Sequence, residues 1–330
     1  MPTLHAAFLA GGIGDQLMHF SQMQAFTKLH GGKMDIFCQH VPVMRKIGQE
    51  CLWLNEVYDI GQFKRLGRMH RFRAGTKSLS KSNYQHAIVF HPSTSFKTAA
   101  FLAGIPVRIG LRKQFLDRFI LTETAQYSDA AAYDFGWGHR PFGAAFDRYL
   151  ADRNIDPVGT VPIASPAIPS SEFKTFITKF PRPYIVANLF SADPARRWPI
   201  EHAASCLAKL VAKHRGTLFL SSGNDAREWN DQFLDAWPVG TSPPIDLLQE
   251  RKDIKFELEL YHQANCYVGV NSFTANLAMN CDLPSVVLYN KQADFLNYRG
   301  NSVGLFPRTG AEIASIDATG ISDAVAGLLS

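Results

Sequence analysis

Residues 4–19 read LHAAFLAGGIGDQLMH. The run Leu4–Leu9 is short and almost wholly apolar, the pattern of a strand buried on both faces. It breaks at Ala10-Gly11-Gly12-Ile13-Gly14, and a helix is expected from about Asp15 to His30, stopped by Gly31-Gly32. A strand that feeds a glycine-rich turn and then a helix opens a doubly wound α/β sheet. The same alternation continues outward. Strands are expected at Met34–Cys38, Glu56–Ile60, Ala87–Phe90 and Val107–Gly110, with helices at Pro42–Gln49 and Lys97–Ala103.

Residues 157–170, PVGTVPIASPAIPS, hold four prolines and no charge, and the alternation restarts after them. Strands are expected at Tyr184–Leu189, Gly216–Ser221, Cys266–Val270 and Ser285–Tyr289. Helices are expected at Ile200–His214, Leu258–Gln263, Thr274–Asn280 and Ile321–Leu329. The reading is therefore two Rossmann-like α/β domains, 1–160 and 171–330, joined by a linker over 161–170. The last helix is free to return to the first domain, and a ligand is expected in the cleft between the halves.

With 330 residues, 46% apolar and 19% charged, the chain has the balance of a globular protein of about two domains. No window is long and apolar enough for a membrane span, and the N-terminus lacks the basic flank of a signal peptide. Five scattered cysteines without a C-x-x-C pair suit a reducing cytoplasm and suggest no zinc. The net charge of +5 is uneven: residues 1–165 carry 19 Lys and Arg against 12 Asp and Glu, residues 166–330 carry 15 against 17. Between Lys64 and Lys81 stand seven cations (Lys64, Arg65, Arg68, Arg71, Arg73, Lys77, Lys81) and no acid. Such a stretch fits a polyanionic partner or a solvated surface loop. Few aromatics interleave it, which argues against nucleic acid.

Three turns can carry chemistry. Gly11–Leu17 departs from a dinucleotide fingerprint, because Leu17 takes the third glycine position and Gln39-His40, not a carboxylate, follows the second strand. The glycines instead suit close approach of a ligand, with Asp15 either a helix cap or a general base. Arg196-Arg197-Trp198-Pro199 places two guanidiniums before a helix, where they clamp a diphosphate or lie as surface charge, while Trp198 packs on the core. Asn271-Ser272-Phe273-Thr274 leads a buried strand into a helix, suiting either phosphate binding or ordinary capping.

Together these segments resemble the ADP-heptose:lipopolysaccharide heptosyltransferases, glycosyltransferase family 9, as a divergent member. Gly14-Asp15-Gln16-Leu17-Met18-His19 is similar to the opening G-D-x-L-H, with the His one position late. Residues 100–110, AFLAGIPVRIG, resemble an inner segment of the family. Arg196-Arg197-Trp198-Pro199 corresponds to K-x-W-P, and residues 222–228, SGNDARE, to a G-G-x-x-E-like turn. Residues 269–278, GVNSFTANLA, stand where the family has G-N-D-[ST]-G-x-x-H-L-A, and Pro284–Tyr289 matches the strand that follows. Asn271, Phe273 and Asn276 replace the family's Asp, Gly and His, and Arg196 replaces its Lys.

The resemblance implies a GT-B fold and an inverting, metal-independent glycosyltransferase. The donor is a nucleotide sugar, ADP-heptose by the family's pattern, held by the second domain. The acceptor is an anionic glycan or glycolipid of the lipopolysaccharide-core type, held by the first. Asp15 and Arg196 are then the catalytic candidates. Donor contacts fall to Gly12, Gly14, Asn188, Arg196, Arg197, Ser222, Gly223, Asn271, Ser272, Phe273, Thr274 and Asn276. Acceptor contacts fall to His19, Lys64, Arg68, Arg71, Arg73 and His91. No D-x-D triplet occurs, so neither a divalent metal nor another cofactor is expected. The expected location is the cytoplasm, with peripheral contact to the inner membrane and no nucleic-acid partner. Alternatives are transfer from another nucleotide sugar or to protein or capsule, a sugar-nucleotide epimerase of the same fold, and a nucleotide-sugar binder without turnover.

Overall fold

The computed structural model describes residues 3–63, 69–125, 140–157, 159–166, 168–290, 301–307 and 312–329. The chain divides into two units, Met1–Ala164 and Ser165–Ser330.

In the first unit, six parallel strands, β1 (Leu4–Phe8), β2 (Lys33–Cys38), β3 (Leu54–Asp59), β4 (His86–Val89), β5 (Val107–Leu111) and β6 (Glu123–Ala125), lie in the order β3-β2-β1-β4-β5-β6. Among the described residues seven α-helices accompany them: α1 (Ile13–Leu17), α2 (Phe20–His30), α3 (Val41–Gly48), α4 (Met69–Lys81), α5 (Thr94–Leu102), α6 (Asp117–Ile120) and α7 (Arg140–Ala151). β1 is central, and Ala6, Ala7 and Phe8 are fully buried, as a strand covered on both faces requires.

The second unit repeats the plan. Strands β7 (Tyr184–Asn188), β8 (Thr217–Leu220), β9 (Ile245–Asp246), β10 (Cys266–Val270), β11 (Ser285–Leu288) and β12 (Ser302–Leu305) run parallel in the order β12-β11-β10-β7-β8-β9. Its helices are α8 (Ser171–Ile177), α9 (Ile200–His214), α10 (Arg227–Asp235), α11 (Ile254–Gln263), α12 (Phe273–Asn280) and α13 (Ala318–Leu329). Counted from its own first strand, each sheet has the dinucleotide-fold order 3-2-1-4-5-6. The direction of winding reverses between β1 and β4 and again between β7 and β10. At such a reversal the two following turns diverge and leave a crevice beyond the carboxyl ends of the strands.

Two expectations are corrected. The helix expected over 15–30 is two, because the His19 N–H turns back to Gln16 O at 3.2 Å and the backbone bends between α1 and α2. The basic stretch is not a loop in its described part: Arg71–Lys81 lies within α4. Phe72, Gly75 and Leu79 form that helix's buried stripe, while Arg71, Arg73, Lys77 and Lys81 face solvent. The proline-rich segment is pinned at both ends. Trp53 Nε1 donates to Pro162 O at 2.8 Å and the Ala164 N–H to Glu50 O at 2.9 Å. On the other side, Glu259 accepts from the Ser170 N–H and hydroxyl at 3.0 and 2.7 Å. The last helix, α13, packs on α9, β10 and β11 of its own unit through Ile321 and Val325.

Candidate active site

In the first unit, the turns after β1 and β4 flank the reversal. Gly11 has φ +104°, a backbone state that L side chains rarely adopt, and this lets the chain leave β1 sharply. Gly12 precedes α1, and its N–H donates to Asp15 Oδ2 at 3.0 Å. Asp15 thus caps the helix that carries it, three residues in, where the helix dipole favours a negative charge. Gln16 Nε2 donates to Gly11 O at 2.9 Å and locks the turn from behind, and Gly14 O accepts the Met18 N–H within it. After β4, His91 is half-buried and its Nδ1 accepts the Ser93 N–H at 3.1 Å. Asp15 and His91 therefore come from neighbouring strands at the same end of one sheet.

His19 does not join them as an acceptor contact. It is only 1% exposed, its ring stacks on Phe90 at 4.5 Å, and its Nδ1–H donates to Gln22 Oε1 at 2.7 Å. Gln22 Nε2 in turn donates to Gly143 O and Asp147 Oδ1, both at 2.7 Å. Burial pushes the Asp147 carboxyl up to about 6, against the pull of the Gln22 bond. This network ties α2 to α7, so His19 holds the α1–α2 corner. Of the other acceptor candidates, Arg71 and Arg73 are exposed on α4, whereas Lys64 and Arg68 lie outside the described residues.

In the second unit, the reversal holds a tighter polar arrangement. Asn188, the last residue of β7, donates through Nδ2 to Ser272 Oγ at 2.8 Å and to Phe190 O at 2.9 Å. Its Oδ1 accepts the Phe190 N–H at 3.1 Å. Ser272 Oγ lies 2.8 Å from Thr274 Oγ1, which lies 3.1 Å from the Tyr267 hydroxyl. One side chain thus joins the two turns. Burial pushes Tyr267 up to about 12, although bonds to Thr274, Ser272 and Asn188 oppose it, so the phenol stays protonated. β10 comes very close here: a Cβ on Gly269 would fall 2.3 Å from Asn188 O. Asn271 is buried, and among the described residues its Nδ2 has no hydrogen-bond partner. Asn276 Nδ2 turns back to Ser272 O at 2.9 Å, and Phe273 opens α12 half-buried.

The two arginines separate in role. Arg196 Nε donates to Asp193 Oδ2 at 3.1 Å in a partly exposed pair. Arg197 Nε donates to Ser191 O at 2.9 Å, with its guanidinium over the Phe190 and Trp229 rings at 4.6 and 5.2 Å. Arg197 is packed into the turn as a strut, while Arg196 needs only to leave an aspartate to meet a ligand. Trp198 is fully buried in the core, donates through Nε1 to His202 Nδ1 at 2.9 Å, and lies before Pro199, the cap of α9. Ser222 Oγ accepts from Asn230 Nδ2 at 2.9 Å, and Gly223 precedes the turn into α10.

Behind this site runs a buried chain that the sequence reading missed. The Tyr261 hydroxyl donates to Ser221 Oγ at 2.8 Å, and Ser221 donates to Glu257 Oε2 at 2.6 Å. Burial pushes Glu257 up to about 7, although the Ser221 bond pulls the other way. Among the described residues no cluster of three or more His, Cys, Asp or Glu side chains is placed to hold a metal ion. Among them, too, no helix is long and apolar enough to cross a membrane.

No family model matches the sequence, and no curated protein matches it. Solved structures do. A glycosyl transferase family 9 protein from Veillonella parvula superposes with a TM-score of 0.75 at 13% identity, over 99% of this chain and 97% of that one. E. coli ADP-heptose LPS heptosyltransferase II gives 0.72 at 18% identity, over 99% and 98%. The fold is GT-B. UDP-GlcNAc 2-epimerase from Methanocaldococcus jannaschii also superposes, with a TM-score of 0.55 at 12% identity over 99% and 93%. GT-B is therefore a frame shared by transferases and epimerases, and the function has to be argued from the turns it carries.

Proposed function

We propose that this chain is an inverting glycosyltransferase that takes a sugar from a nucleoside diphosphate. One observation carries the reading. The crevice end of the second sheet presents a preorganised polar turn, Asn188–Ser272–Thr274, beside the buried amide of Asn271, whose Nδ2 has no partner among the described residues. An unpaired buried N–H₂ costs about 1–3 kcal/mol, which an oxygen of a bound sugar or diphosphate would offset. Arg196 stands on the adjoining turn with only Asp193 to leave. Partly exposed pairs of this kind are worth about 0–1 kcal/mol, so exchange for a phosphate costs little.

In this reading the Asp15 carboxylate takes the proton of an acceptor hydroxyl. The acceptor oxygen bonds to the anomeric carbon on the face opposite the diphosphate. The bond from that carbon to the diphosphate oxygen breaks, and the nucleoside diphosphate leaves with the electron pair, its charge balanced by Arg196 and the turn at Ser272. Asp15 is oriented for this by the Gly12 N–H. The heptosyltransferase neighbour supports ADP-heptose as the first donor to try. The substitutions at Asn271, Phe273 and Asn276 fall on the donor side, and a changed sugar is where they would act. Exposed Arg71 and Arg73 favour an anionic acceptor, a phosphorylated glycan or glycolipid.

The test is a donor panel of ADP-, GDP- and UDP-sugars, with nucleotide release followed with and without an anionic glycolipid acceptor. Acceptor-dependent release of one nucleoside diphosphate supports the reading. Alteration of the sugar without acceptor would replace it with an epimerase, and binding without change in either would replace it with a binder.

A further inference from the structure

Five large apolar side chains of the first unit, Phe101, Leu102, Phe115, Leu116 and Phe119, are 45–66% exposed and fall within one short stretch of sequence. They are also joined in space. Arg108 lies over the Phe101 ring at 5.4 Å and donates through Nε to Ile120 O, at the end of α6. Arg118 lies over the Phe115 and Phe119 rings at 3.5 and 4.5 Å. Arg112, Lys113 and Arg118 are exposed among them.

The charge of this surface has one sign. Between residues 101 and 122 the sole acid is Asp117, and it is fully buried. Its Oδ2 accepts from Lys97 Nζ at 2.7 Å and from the Lys113 and Gln114 N–H groups at 2.8 Å, while Lys97 also donates to Leu111 O at 2.7 Å. The buried pair anchors the turn 112–119 from within, so among the described residues its outer face shows cations, apolar groups and the neutral Gln114, and no exposed acid. Exposed apolar patches rimmed by polar groups mark contact surfaces. Aromatics with adjacent cations suit the headgroup level of an anionic bilayer, where the rings enter the interface and the cations meet phosphates.

We propose that this face, Phe101–Leu102 with Arg112–Phe119, docks the protein on an anionic lipid bilayer. Two copies pressed face to face would oppose cations to cations, which disfavours a second chain as occupant. Aliphatic Leu102 and Leu116 suit acyl chains and offer no stacking plane for bases. The turn 112–116 follows β5 at the carboxyl end of the sheet, the end that also carries Asp15 and His91. Phe101 and Leu102 lie toward the other end of β5, beside Arg108, so contact through the turn 112–116 is the part that would bring the Asp15 and His91 turns toward the membrane. The inference deepens the glycolipid reading and rests on it for its purpose. Vesicle binding is read without donor or acceptor, so its failure leaves transfer to a soluble anionic acceptor standing, and failure of transfer leaves the lipid contact standing.

The experiment is co-sedimentation of the full chain with phosphatidylcholine vesicles, alone or mixed with phosphatidylglycerol, at low and high salt. The wild type should bind the mixed vesicles, bind neutral ones far less, and weaken with salt. R112Q/R118Q should lose roughly 30-fold in affinity, from about 1 kcal/mol per cation at an anionic surface. F115S/F119S should lose about tenfold or more while keeping its circular dichroism, since both rings are exposed. No binding by the wild type, equal binding to both vesicle types, or variants that bind like the wild type would overturn the proposal. A dimer in sedimentation velocity that F115S/F119S dissociates, without vesicle binding, would assign the face to a second copy instead.

Discussion

Asn188 gives the sharpest test of how the turn proposed to hold the donor is built. Asn188→Ala removes three hydrogen bonds at once: to Ser272 Oγ, to Phe190 O and from the Phe190 N–H. Each such bond is worth about 0.5–1.5 kcal/mol net. Phe190 is half-buried, so water replaces part of its loss, and Ser272 keeps Thr274 as neighbour. The expected destabilisation is therefore about 2–3 kcal/mol, confined to the second unit. That unit holds Trp198, Trp229 and Trp237, three of the five tryptophans, so urea unfolding followed by intrinsic fluorescence reports mainly on it. Affinity for the nucleoside diphosphate of the donor that supports turnover, by titration calorimetry, should weaken about tenfold or more because the turn must be reordered on binding, and tenfold corresponds to about 1.4 kcal/mol. A double-mutant cycle with Ser272→Ala isolates the bond between the turns, and its coupling should be about 1 kcal/mol. Coupling within about 0.3 kcal/mol of zero, with nucleoside diphosphate affinity unchanged, would refute the idea that Asn188 joins the two turns into one site.

Gly269→Ala should destabilise the second unit by about 1–3 kcal/mol or prevent its folding, because the new Cβ meets Asn188 O at 2.3 Å; a urea midpoint equal to wild type would show that β7 and β10 yield there. Glu257 is protonated up to about pH 7 in the folded chain and about 4.5 in the unfolded one, so its contribution to stability is full below 4.5 and lost as pH rises through 7. Glu257→Gln should therefore match wild type near pH 4.5 and exceed it above pH 8, by on the order of 3 kcal/mol at most; parallel stability curves would exclude a neutral buried carboxyl. Arg196→Ala should cost roughly 10–100-fold in donor KM or kcat, as one charge-assisted contact of about 1.5–3 kcal/mol is lost, and Arg196→Lys should recover part of it. Steady-state rates that single out Arg197 instead would reverse their roles.

The parts of the fold that are local in sequence were legible. An apolar run broken by Gly11, whose φ of +104° only glycine adopts with ease, announces β1 and its turn without any tertiary information. The same holds for β7 and β10, each buried along its whole length. Helix α4 was hidden because its cations outnumber the apolar side chains at 72 and 79 and Gly75 contributes no hydrophobic signal. At the sites, sequence singled out the polar residues but not their partners. His19 was marked by motif, yet its burial is decided by Phe90 and, through Gln22, by Asp147, far away along the chain. By residue type alone Arg196 and Arg197 are equivalent, and only the resemblance to K-x-W-P singled out Arg196. Phe190 and Trp229, one on the turn and one from α10, distinguish them only once the sheet is assembled. Glu257 had no signal at all, since a glutamate on a helix is ordinarily solvated.

Asp15 is the residue on which proton removal from the acceptor would depend. Asp15→Asn keeps an oxygen to accept the Gly12 N–H and so preserves the cap, but it removes the proton acceptor. With the donor that supports turnover, release of its nucleoside diphosphate and affinity for that nucleoside diphosphate should be measured on the same preparation. Affinity for that nucleoside diphosphate should stay within about twofold of wild type and kcat should fall by ~10²–10⁴-fold, the usual contribution of a general base. A variant that releases nucleotide at close to the wild-type rate would contradict that dependence and leave Asp15 as a helix cap.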